Sequence, residues 1–388
     1  MLTRRTFVQA AGVGAAAFIG ARGRENSLWS MIEPTLEAIE PGVICLASNE
    51  NPAGPGATVL DAVKTAFGPV GGRPGRYDGS AGALIEAIAK KQGVKPENVV
   101  LGCGSTQILR SCTHLFTAKD KPLVGTIPTY EECAGYAEMM GHPVRPVALD
   151  ANFKIDLDKF AAAAKGAGLV FYCNPNNPTA TYVGARATRD FLAQVAKDSP
   201  DTYVLIDEAY FDYVTDPDHA THIPIAIENP HVVVARTFSK AYGMAGLRMG
   251  YAVGHPETIK KMAEWDAGGG TSSLNVLAMR AGIAAIQQDP AFITAERARN
   301  TEVRDFTMKW FADRGMKPTD SQANFMFVNI GRPAKEFRDA CRARGVLVAR
   351  DFPPFEKTHC RISYGTMDEM KKAVAVFEDV LKKKATAA

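Results

Sequence analysis

Apolar and polar positions follow two different periods along the chain after Ser27. Short apolar runs bounded by turn residues predict buried strands, and stretches with an apolar residue every three or four positions predict the helices between them. Helical spacing is clear at 84–91 and 187–196. Strands that alternate with helices indicate an α/β fold with a mostly parallel sheet. The runs that we assign to one large sheet are 99–102, 123–127, 143–149, 169–173, 203–206, 232–235 and 249–253.

The C-terminal third of the chain has a different pattern. A stretch with helical spacing covers 274–311, as one helix or as two helices broken near Asp289-Pro290. Short strands at 324–330, 346–349 and 361–364 follow in a β-α-β-β-α order, which predicts a second, smaller α+β domain. The predicted segments are 1–26 as a signal or N-terminal arm, 27–60 as a segment joining the small domain, 61–272 as the large domain and 273–388 as the small domain.

Composition excludes several classes of protein. Of the 388 residues, 46% are hydrophobic and 22% charged, which is enough apolar material for a large core and argues against disorder. The net charge of +3 is small, and no lysine or arginine run alternates with aromatics, so we expect no nucleic-acid partner. The seven cysteines show neither CxxC nor Cys/His pairing. We therefore expect no metal site and no disulfide framework, but buried free thiols.

The amino terminus carries Arg4-Arg5 ahead of a weakly apolar stretch, Phe7 to Ala21, that is too short to span a bilayer. This arrangement resembles a twin-arginine signal, which predicts export of the folded protein to the periplasm. The alternative is a helical N-terminal arm with an accidental arginine pair in a cytoplasmic protein. No other segment approaches membrane length.

Polar residues concentrate where the predicted strands end, and ligands of α/β sheets bind outside the carboxyl ends of strands. After 99–102, Gly104, Ser105 and Thr106 begin a helix, either as a phosphate-binding N-terminus or as a plain N-cap. After 169–173 comes NPNNPTAT, either an ordinary surface turn or a turn in which a cis peptide before Pro178 directs the Asn177 amide toward the sheet edge.

Two further strand ends carry charge. Asp207 directly follows the apolar run 203–206, where a carboxylate needs a cationic partner. Lys240 follows 232–235, with Arg248 eight residues later among glycines. A lysine there is a salt-bridge partner, a phosphate ligand or a nucleophile.

Taken together, these residues match the requirements of pyridoxal phosphate. The cofactor needs a lysine for a Schiff base, a carboxylate that keeps its pyridine nitrogen protonated, donors to its phenolate oxygen and an anion site for its phosphate. The candidates are Lys240 for the amine, Asp207 for the carboxylate, Tyr210 and Asn177 as donors, and Ser105, Thr106, Thr237, Ser239 and Arg248 for the phosphate.

The sequence resembles the class I/II aminotransferases of pyridoxal-phosphate fold type I, and most closely their histidinol-phosphate aminotransferase branch. The matching motifs are ASNENP (47–52), RY (76–77), GCGSTQ (102–107), PTY (128–130), CNPNNPT (173–179), DEAY (207–210), TFSKAYGMAGLRMGY (237–251), SQANF (321–325) and RISYGT (361–366). The resemblance implies a large domain with a mostly parallel seven-stranded sheet and a smaller α+β domain.

The resemblance also implies roles for particular residues of these motifs. Lys240 would carry the Schiff base, Asp207 would pair with the pyridine nitrogen, and Tyr210 would donate to the phenolate oxygen together with Asn177. The other implied cofactor residues are Tyr130, stacked on the ring; Gly104, Ser105, Thr106, Thr237, Ser239 and Arg248, around the phosphate; and Tyr77, reaching the phosphate of the neighbouring subunit of a homodimer. Arg361 would bind the substrate carboxylate, and Asn51 would line the substrate side.

The implied reaction is a ping-pong transamination. The donor would be an amino acid, or an amino-alcohol phosphate such as histidinol phosphate, and the acceptor a 2-oxo acid such as 2-oxoglutarate. A pyridoxal-phosphate-dependent decarboxylase, lyase or cyclase on the same scaffold is the alternative. An exported binding protein that keeps the cofactor without turnover is a third interpretation.

Departures from the family pattern leave the substrate open. Ala53 stands where the family often has an aromatic residue, and Gly268-Gly269-Gly270 replaces bulkier residues, which favours a more open pocket. Ala180 replaces a turn glycine, so its backbone must avoid positive φ or absorb strain. Arg350 is either a ligand for a distal anionic group or a solvated loop arginine. Histidine biosynthesis is cytosolic, which fits poorly with an export signal.

Overall fold

The computed structural model describes residues 42–68, 79–265 and 274–382, and the elements are numbered along these ranges. The strands are β1 (Ile44–Leu46), β2 (Val99–Cys103), β3 (Leu123–Ile127), β4 (Val144–Ala148), β5 (Leu169–Cys173), β6 (Tyr203–Asp207), β7 (Val232–Thr237), β8 (Met249–Gly254), β9 (Phe325–Asn329), β10 (Val346–Val348) and β11 (His359–Ser363). The helices are α1 (Ala57–Thr65), α2 (Ser80–Gln92), α3 (Gly104–Phe116), α4 (Glu132–Met139), α5 (Leu157–Ala164), α6 (Ala185–Asp198), α7 (Ile223–Glu228), α8 (Pro256–Trp265), α9 (Val276–Gln288), α10 (Ala291–Ala312), α11 (Ala334–Arg342) and α12 (Met367–Lys382).

The large sheet has seven strands in the order β2-β8-β7-β6-β5-β3-β4. Strands β3 to β7 run parallel to one another, and β8 lies antiparallel between β2 and β7. The predicted α/β fold with a mostly parallel sheet is confirmed. Every apolar run assigned to this sheet is a strand, and each bound lies within two residues of the prediction.

Burial on both faces explains why the central strands read as continuous apolar runs. All five residues of β5 are buried. Val170 and Tyr172 join the core on one face of the sheet, and Leu169 and Phe171 join a second core on the other face. Each such side chain contributes about 2 kcal/mol of hydrophobic stabilisation. The sheet is therefore rigid up to the strand ends, where the polar residues follow.

The C-terminal part contains the predicted β-α-β-β-α order in β9, α11, β10, β11 and α12. The expected break near Asp289-Pro290 separates α9 from α10. A separate apolar core, which includes Phe311, Phe337 and Phe377, packs these elements together. The predicted segment boundaries remain predictions, because residues 1–41 and 266–273 lie outside the described ranges.

Two strand pairings bring distant parts of the chain to the edge of the large sheet. β1 pairs in parallel with β10, so that Leu46 lies opposite Val348. This pairing fixes the position from which the segment after β1 continues. β11 pairs antiparallel with β9, which puts Arg361 opposite Phe327.

Within the described ranges, no helix is long and apolar enough to cross a bilayer. The predicted Arg4-Arg5 signal lies outside those ranges.

Candidate active site

The carboxyl ends of three neighbouring strands form one row. Cys173, Asp207 and Ala235 are paired across β5, β6 and β7. Parallel strands end at the same edge of a sheet, so the turns that follow these residues converge there. Val204, Leu205 and Ile206 before Asp207 are buried, and Asp207 at the strand end is only 3% exposed. The convergence expected from the sequence is present in the fold.

Lys240 lies in the turn that leaves β7. Its Nζ donates to the Ser48 carbonyl oxygen at 3.1 Å and lies 5.7 Å from the centre of the Tyr210 ring. Burial, together with the positive charge of Arg361, lowers the pKa of Lys240 to about 8. An appreciable fraction of the amine is therefore uncharged near neutral pH, as a nucleophile or general base requires.

The Asp207 carboxylate has few partners for a buried charge. It accepts a hydrogen bond from the Ala209 backbone N–H at 3.2 Å, and the Cys173 thiol lies 4.0 Å from its Oδ2. Burial raises the pKa of Asp207 to about 7, although the Lys240 charge acts in the opposite direction. A cationic N–H donor placed against this carboxylate would restore its normal acidity.

Tyr210 is held by a residue that sequence reasoning did not select. Its hydroxyl oxygen accepts from Asn49 Nδ2 at 3.0 Å. Asn49 is fixed in turn by Ser363, whose Oγ accepts from the Asn49 backbone N–H at 2.9 Å and donates to its Oδ1 at 2.7 Å. Burial raises the pKa of Tyr210, so the hydroxyl keeps its proton and acts as a donor. The ASNENP motif contained Asn49, but nothing in it separated Asn49 from Asn51.

Asn51, the predicted substrate-side residue, contacts the backbone. Its Nδ2 donates to the Ala241 carbonyl at 3.0 Å, and its Oδ1 accepts from the Ala53 N–H at 2.9 Å. These bonds fasten the segment after β1 to the turn that carries Lys240. The substrate contact predicted for Asn51 stays a prediction.

The predicted phosphate residues lie around the start of α3. Gly104 has a φ of 70°, and a Cβ there would collide with the Arg248 guanidinium. Arg248 Nη2 lies 3.4 Å from Thr106 Oγ1. Gly250 pairs with both Gly102 and Thr237 across the sheet. This arrangement joins a helix N-terminus to a guanidinium, which suits a phosphate dianion.

The remaining predicted phosphate ligands are Ser105 and Ser239. A Cβ on Gly250 would collide with the Ser105 backbone nitrogen, so Ser105 lies directly against β8. The Ser239 backbone N–H donates to Thr237 Oγ1 at 3.0 Å, which places Ser239 beside Thr237. Ser105 therefore lies in the first turn of α3 and Ser239 beside Thr237, and the phosphate contacts of both stay predictions.

Tyr130 is partly buried and interacts with the predicted phosphate residue Thr106. Burial raises its pKa to about 12; the negative charge of Asp207 adds to this shift, and a hydrogen bond with Thr106 opposes it. The stacking role expected of Tyr130 stays a prediction. Tyr77, expected to serve a neighbouring subunit, lies outside the described residues.

Arg361 is a buried cation with donor capacity to spare. Its Nη1 donates to Asn177 Oδ1 at 2.8 Å, and its Nη2 donates to the Ala47 carbonyl oxygen. Its Nε has no hydrogen-bond partner within the described part of the chain. Burial lowers the pKa of Arg361 to about 10. A substrate carboxylate or phosphate fits such a group.

The turn that carries Asn177 has the backbone features considered for it. The Asn177-Pro178 peptide is cis, and Ala180 has a φ of 59°. Ala180 therefore occupies the left-handed region, where the resemblance implies a glycine, at a cost of about 1 kcal/mol. Hydrogen bonds hold it there, from its N–H to the Asn176 carbonyl at 2.7 Å and from the Gln322 N–H to its own carbonyl at 2.8 Å.

A buried ion pair beside the site was not anticipated from the sequence. Glu208 Oε2 accepts from Arg236 Nε at 2.8 Å and from Thr221 Oγ1 at 2.9 Å, and its Oε1 accepts from the His222 backbone N–H at 3.0 Å. The only sequence signal was the position of Glu208 directly after Asp207.

The cysteines are free, and those at 112, 133, 173, 341 and 360 are buried. The expectation of buried thiols without disulfides is confirmed for these positions. Within the described ranges, no three His, Cys, Asp or Glu side chains converge as the ligands of a metal would.

Comparison with known proteins identifies the family. The model of the family described as aminotransferase class I and II matches residues 41–377. The chain belongs to this family. Among curated relatives, histidinol-phosphate aminotransferase of Moorella thermoacetica is 36% identical over 345 residues, covering 87% of this chain and 86% of the relative. The enzyme of the same name from Symbiobacterium thermophilum is 34% identical over 340 residues, covering 87% and 91%.

Solved structures agree with this assignment. The histidinol-phosphate aminotransferase of Sinorhizobium meliloti, in complex with pyridoxal-5'-phosphate, has a TM-score of 0.78 at 25% identity and covers 94% of this chain and 100% of its own. An aspartate aminotransferase of Thermus thermophilus shares the fold, with a TM-score of 0.79 at 22% identity and coverage of 98% and 99%.

This aminotransferase uses pyridoxal 5'-phosphate as its cofactor. The side chains described above fit the group. Lys240 would supply the amine, Asp207 a buried carboxylate for the pyridine nitrogen, and Tyr210 a hydroxyl for the phenolate oxygen. The start of α3 and Arg248 supply donors for the phosphate.

Proposed function

We propose that this aminotransferase moves an amino group between an amino acid, or an amino-alcohol phosphate such as histidinol phosphate, and a 2-oxo acid such as 2-oxoglutarate. The observation that carries the proposal is the meeting of Lys240, Asp207 and Arg361 at one edge of the large sheet. These groups supply a base, an anchor for the cofactor ring and an anchor for the substrate anion. The curated relatives described above, both named histidinol-phosphate aminotransferases, support the donor class.

Each of the three side chains has one task in the reaction. When bound, the cofactor supplies an electron sink for the charge that develops at the substrate Cα. Asp207 holds negative charge against the ring nitrogen, which keeps that nitrogen protonated. Arg361 holds the anionic group of the substrate through guanidinium N–H donors. Lys240 Nζ would take the proton from the substrate Cα as a base and deliver it to the cofactor C4′ as an acid, which a pKa of about 8 suits at neutral pH.

Tyr210 and Asn177 orient the cofactor ring. The Tyr210 hydroxyl accepts its hydrogen bond from Asn49, so its own proton is directed to another acceptor. The Asn177 oxygen accepts from Arg361, so its amide nitrogen is the end left to donate. Both donors suit the phenolate oxygen of the ring.

A half-reaction assay on the purified holoenzyme tests the proposal. Amino donors are added singly, and the keto product is measured together with the visible absorbance of the cofactor. We expect one keto acid per subunit, an amino-form cofactor, and reversal when a 2-oxo acid is added. Release of carbon dioxide or of an eliminated group without keto acid would instead identify a decarboxylase or lyase.

The Lys240→Ala variant tests the assignment of the amine. We expect it to lose covalently held cofactor and to slow proton transfer by several orders of magnitude. Borohydride reduction followed by peptide mapping checks this result. A reduced adduct that persists elsewhere in the variant would show that Lys240 is not the attachment residue.

We also propose a homodimer with a shared site and an export signal. The RY motif supports the first, because Tyr77 is expected to reach the phosphate of a second subunit. Arg4-Arg5 and the weakly apolar stretch after them support the second. Light scattering and mixing of Tyr77→Phe subunits with Lys240→Ala subunits test the dimer. A reporter fused to residues 1–30, with and without Arg4-Arg5 replaced by lysines, tests export to the periplasm against a cytoplasmic location.

A further inference from the structure

A second arginine lies at the substrate end of the site, and it is already paired. Arg350 follows β10, and its Nη1 donates to the Asp351 carbonyl oxygen at 3.0 Å. Its Nη2 donates to the carboxylate of Glu131. The two paired side chains are 25% and 33% exposed, so the ion pair is half-buried.

One buried ring fixes the position of this ion pair relative to Arg361. The Arg350 guanidinium carbon lies 4.5 Å from the centre of the Phe352 ring, and that of Arg361 lies 4.9 Å from the same centre. Phe352 is only 1% exposed, so both guanidinium groups contact a ring that belongs to the protein interior. Glu131 directly follows Tyr130 in the chain. The ion pair therefore stands beside the guanidinium that receives the substrate anion.

We propose that Glu131 is a specificity-determining residue: by holding Arg350, it selects substrates with a single anionic group over substrates that carry a second anion at their far end. The inference rests on the proposed function, because it specifies the substrate class of that same site. Arg361 then binds the single anionic group of the substrate, and Arg350 stays paired with Glu131.

Electrostatics gives the reason for the selection. A second substrate anion reaches Arg350 only by displacing Glu131, or else lies next to a carboxylate of like charge. Glu131 directly precedes the first residue of α4 and forms its ion pair with Arg350 from there. Displacement would break a charge-assisted hydrogen bond and leave the carboxylate without its partner.

The same selection applies to both halves of a ping-pong reaction, because donor and acceptor occupy one site in turn. Pyruvate-like acceptors with one carboxylate are then preferred to 2-oxoglutarate. The inference thus narrows the acceptors proposed above. It also predicts that glutamine is a better donor than glutamate, which has nearly the same shape and one more charge.

The variant that tests the inference is Glu131→Gln. Its side chain makes no capping bond to the first turn of α4, so the neutral replacement leaves the helix intact. Glu132→Gln is the matched control, since it removes one carboxylate at the next position, where the partner is Arg110 instead of Arg350. The double variant Glu131→Gln/Arg350→Met tests whether Arg350 carries the effect.

Binding to the holoenzyme is measured by calorimetry with glutarate and pentanoate, which differ by one carboxylate. We expect Glu131→Gln to raise the ratio of glutarate to pentanoate affinity about tenfold. We expect the control to leave the ratio at the wild-type value and the double variant to return it there. In half-reactions, the ratio of kcat/KM for glutamate to that for glutamine should rise with the same pattern.

The two measurements separate the inference from the proposed function. An affinity ratio that stays at the wild-type value in Glu131→Gln, or that rises equally in Glu132→Gln, overturns the selection by Glu131. A holoenzyme that forms no keto acid from any donor overturns the proposed function, while the affinity ratio still decides the inference.

Discussion

Asp207 and Glu208 follow one another where β6 ends, with side chains 3% and 2% exposed. Burial alone would raise the pKa of both. It raises the pKa of Asp207 to about 7. At Glu208 the Arg236 charge and the hydrogen bonds from His222 overcome burial and lower the pKa to about 2. Two equally buried carboxylates thus differ by several pKa units because only one has a cationic partner.

The comparison shows how the fold separates a structural charge from a functional one. Glu208 Oε2 lies 2.6 Å from Arg236 Nη2, and the Arg236 guanidinium carbon lies 3.7 Å from the centre of the Phe211 ring. Its charge is neutralised inside the protein. Asp207 has only one backbone N–H and a thiol as hydrogen-bond donors within the described residues, which leaves its carboxylate for the cofactor nitrogen proposed above as its partner.

The largest effect is expected from Asp207→Ala. Loss of the carboxylate leaves the ring nitrogen without its partner, so the half-reaction should slow by at least about 10³-fold, which is about 4 kcal/mol of activation free energy. Stopped-flow absorbance measures the rate. Circular dichroism should show the wild-type fold, and Asp207→Glu should recover part of the rate. Wild-type rates in Asp207→Ala would remove the distinction between the two carboxylates.

Glu208→Ala should act on stability. It leaves the buried Arg236 cation without its partner, which costs about 3 kcal/mol of the free energy of unfolding. Urea denaturation of the cofactor-free protein measures the loss. The double variant Glu208→Leu/Arg236→Met is the control and should be more stable than Glu208→Ala, because no uncompensated charge remains. If Glu208→Ala unfolds like the wild type, the pair is not a structural element.

The two carboxylates should give opposite pH dependence in the cofactor-free protein. Folded Asp207 keeps a proton up to about pH 7 that the unfolded chain releases near pH 3.8, so its contribution to stability falls as the pH rises across that window. Glu208 stabilises fully above about pH 4.5 and loses this contribution as the pH falls toward 2. Each slope is at most about 1.4 kcal/mol per pH unit.

Unfolding free energies measured across this pH range for the wild type, Asp207→Asn and Glu208→Gln check the signs. Asp207→Asn should remove the decline between about pH 4 and pH 7. A decline that survives in this variant would belong to another group.

The smallest effect concerns the thiol beside Asp207. Cys173→Ala removes a weak donor and a buried sulfur atom, which should cost about 1 kcal/mol of stability and change the half-reaction rate by less than about threefold. Cys341→Ala, a buried cysteine in the C-terminal core, should cost similar stability and leave the rate unchanged. A large rate effect at Cys173 would mean that the thiol sustains the charge state of Asp207.

The strands of the large sheet could be predicted because burial on both faces requires apolar side chains at every position. Strands β6 and β7 extend beyond their predicted ends at 206 and 235. The sheet pairing continues through Asp207 and Thr237, whose side chains read as turn residues. The order of the strands depends on pairings between distant segments, which local patterns do not encode.

The residues of the candidate site also fall into those that the sequence predicted and those that it did not. Asp207 ends β6, Lys240 lies in the turn after β7, and Arg248 directly precedes β8. Their positions near the sheet edge followed from where the apolar runs begin and end. Asn49 did not follow, because Tyr210 lies 161 positions away in the sequence. The contact between Glu131 and Arg350 spans 219 positions.

By itself, the sequence determined the α/β class, the apolar strands and the kinds of side chain placed at their ends. The tertiary structure decided which of two similar neighbours has which partner: Asn49 and not Asn51 at Tyr210, Arg236 at Glu208 and not at Asp207. The physical reason is that burial and hydrogen bonding depend on side chains from distant segments, whereas the apolar pattern of a strand depends on its own residues.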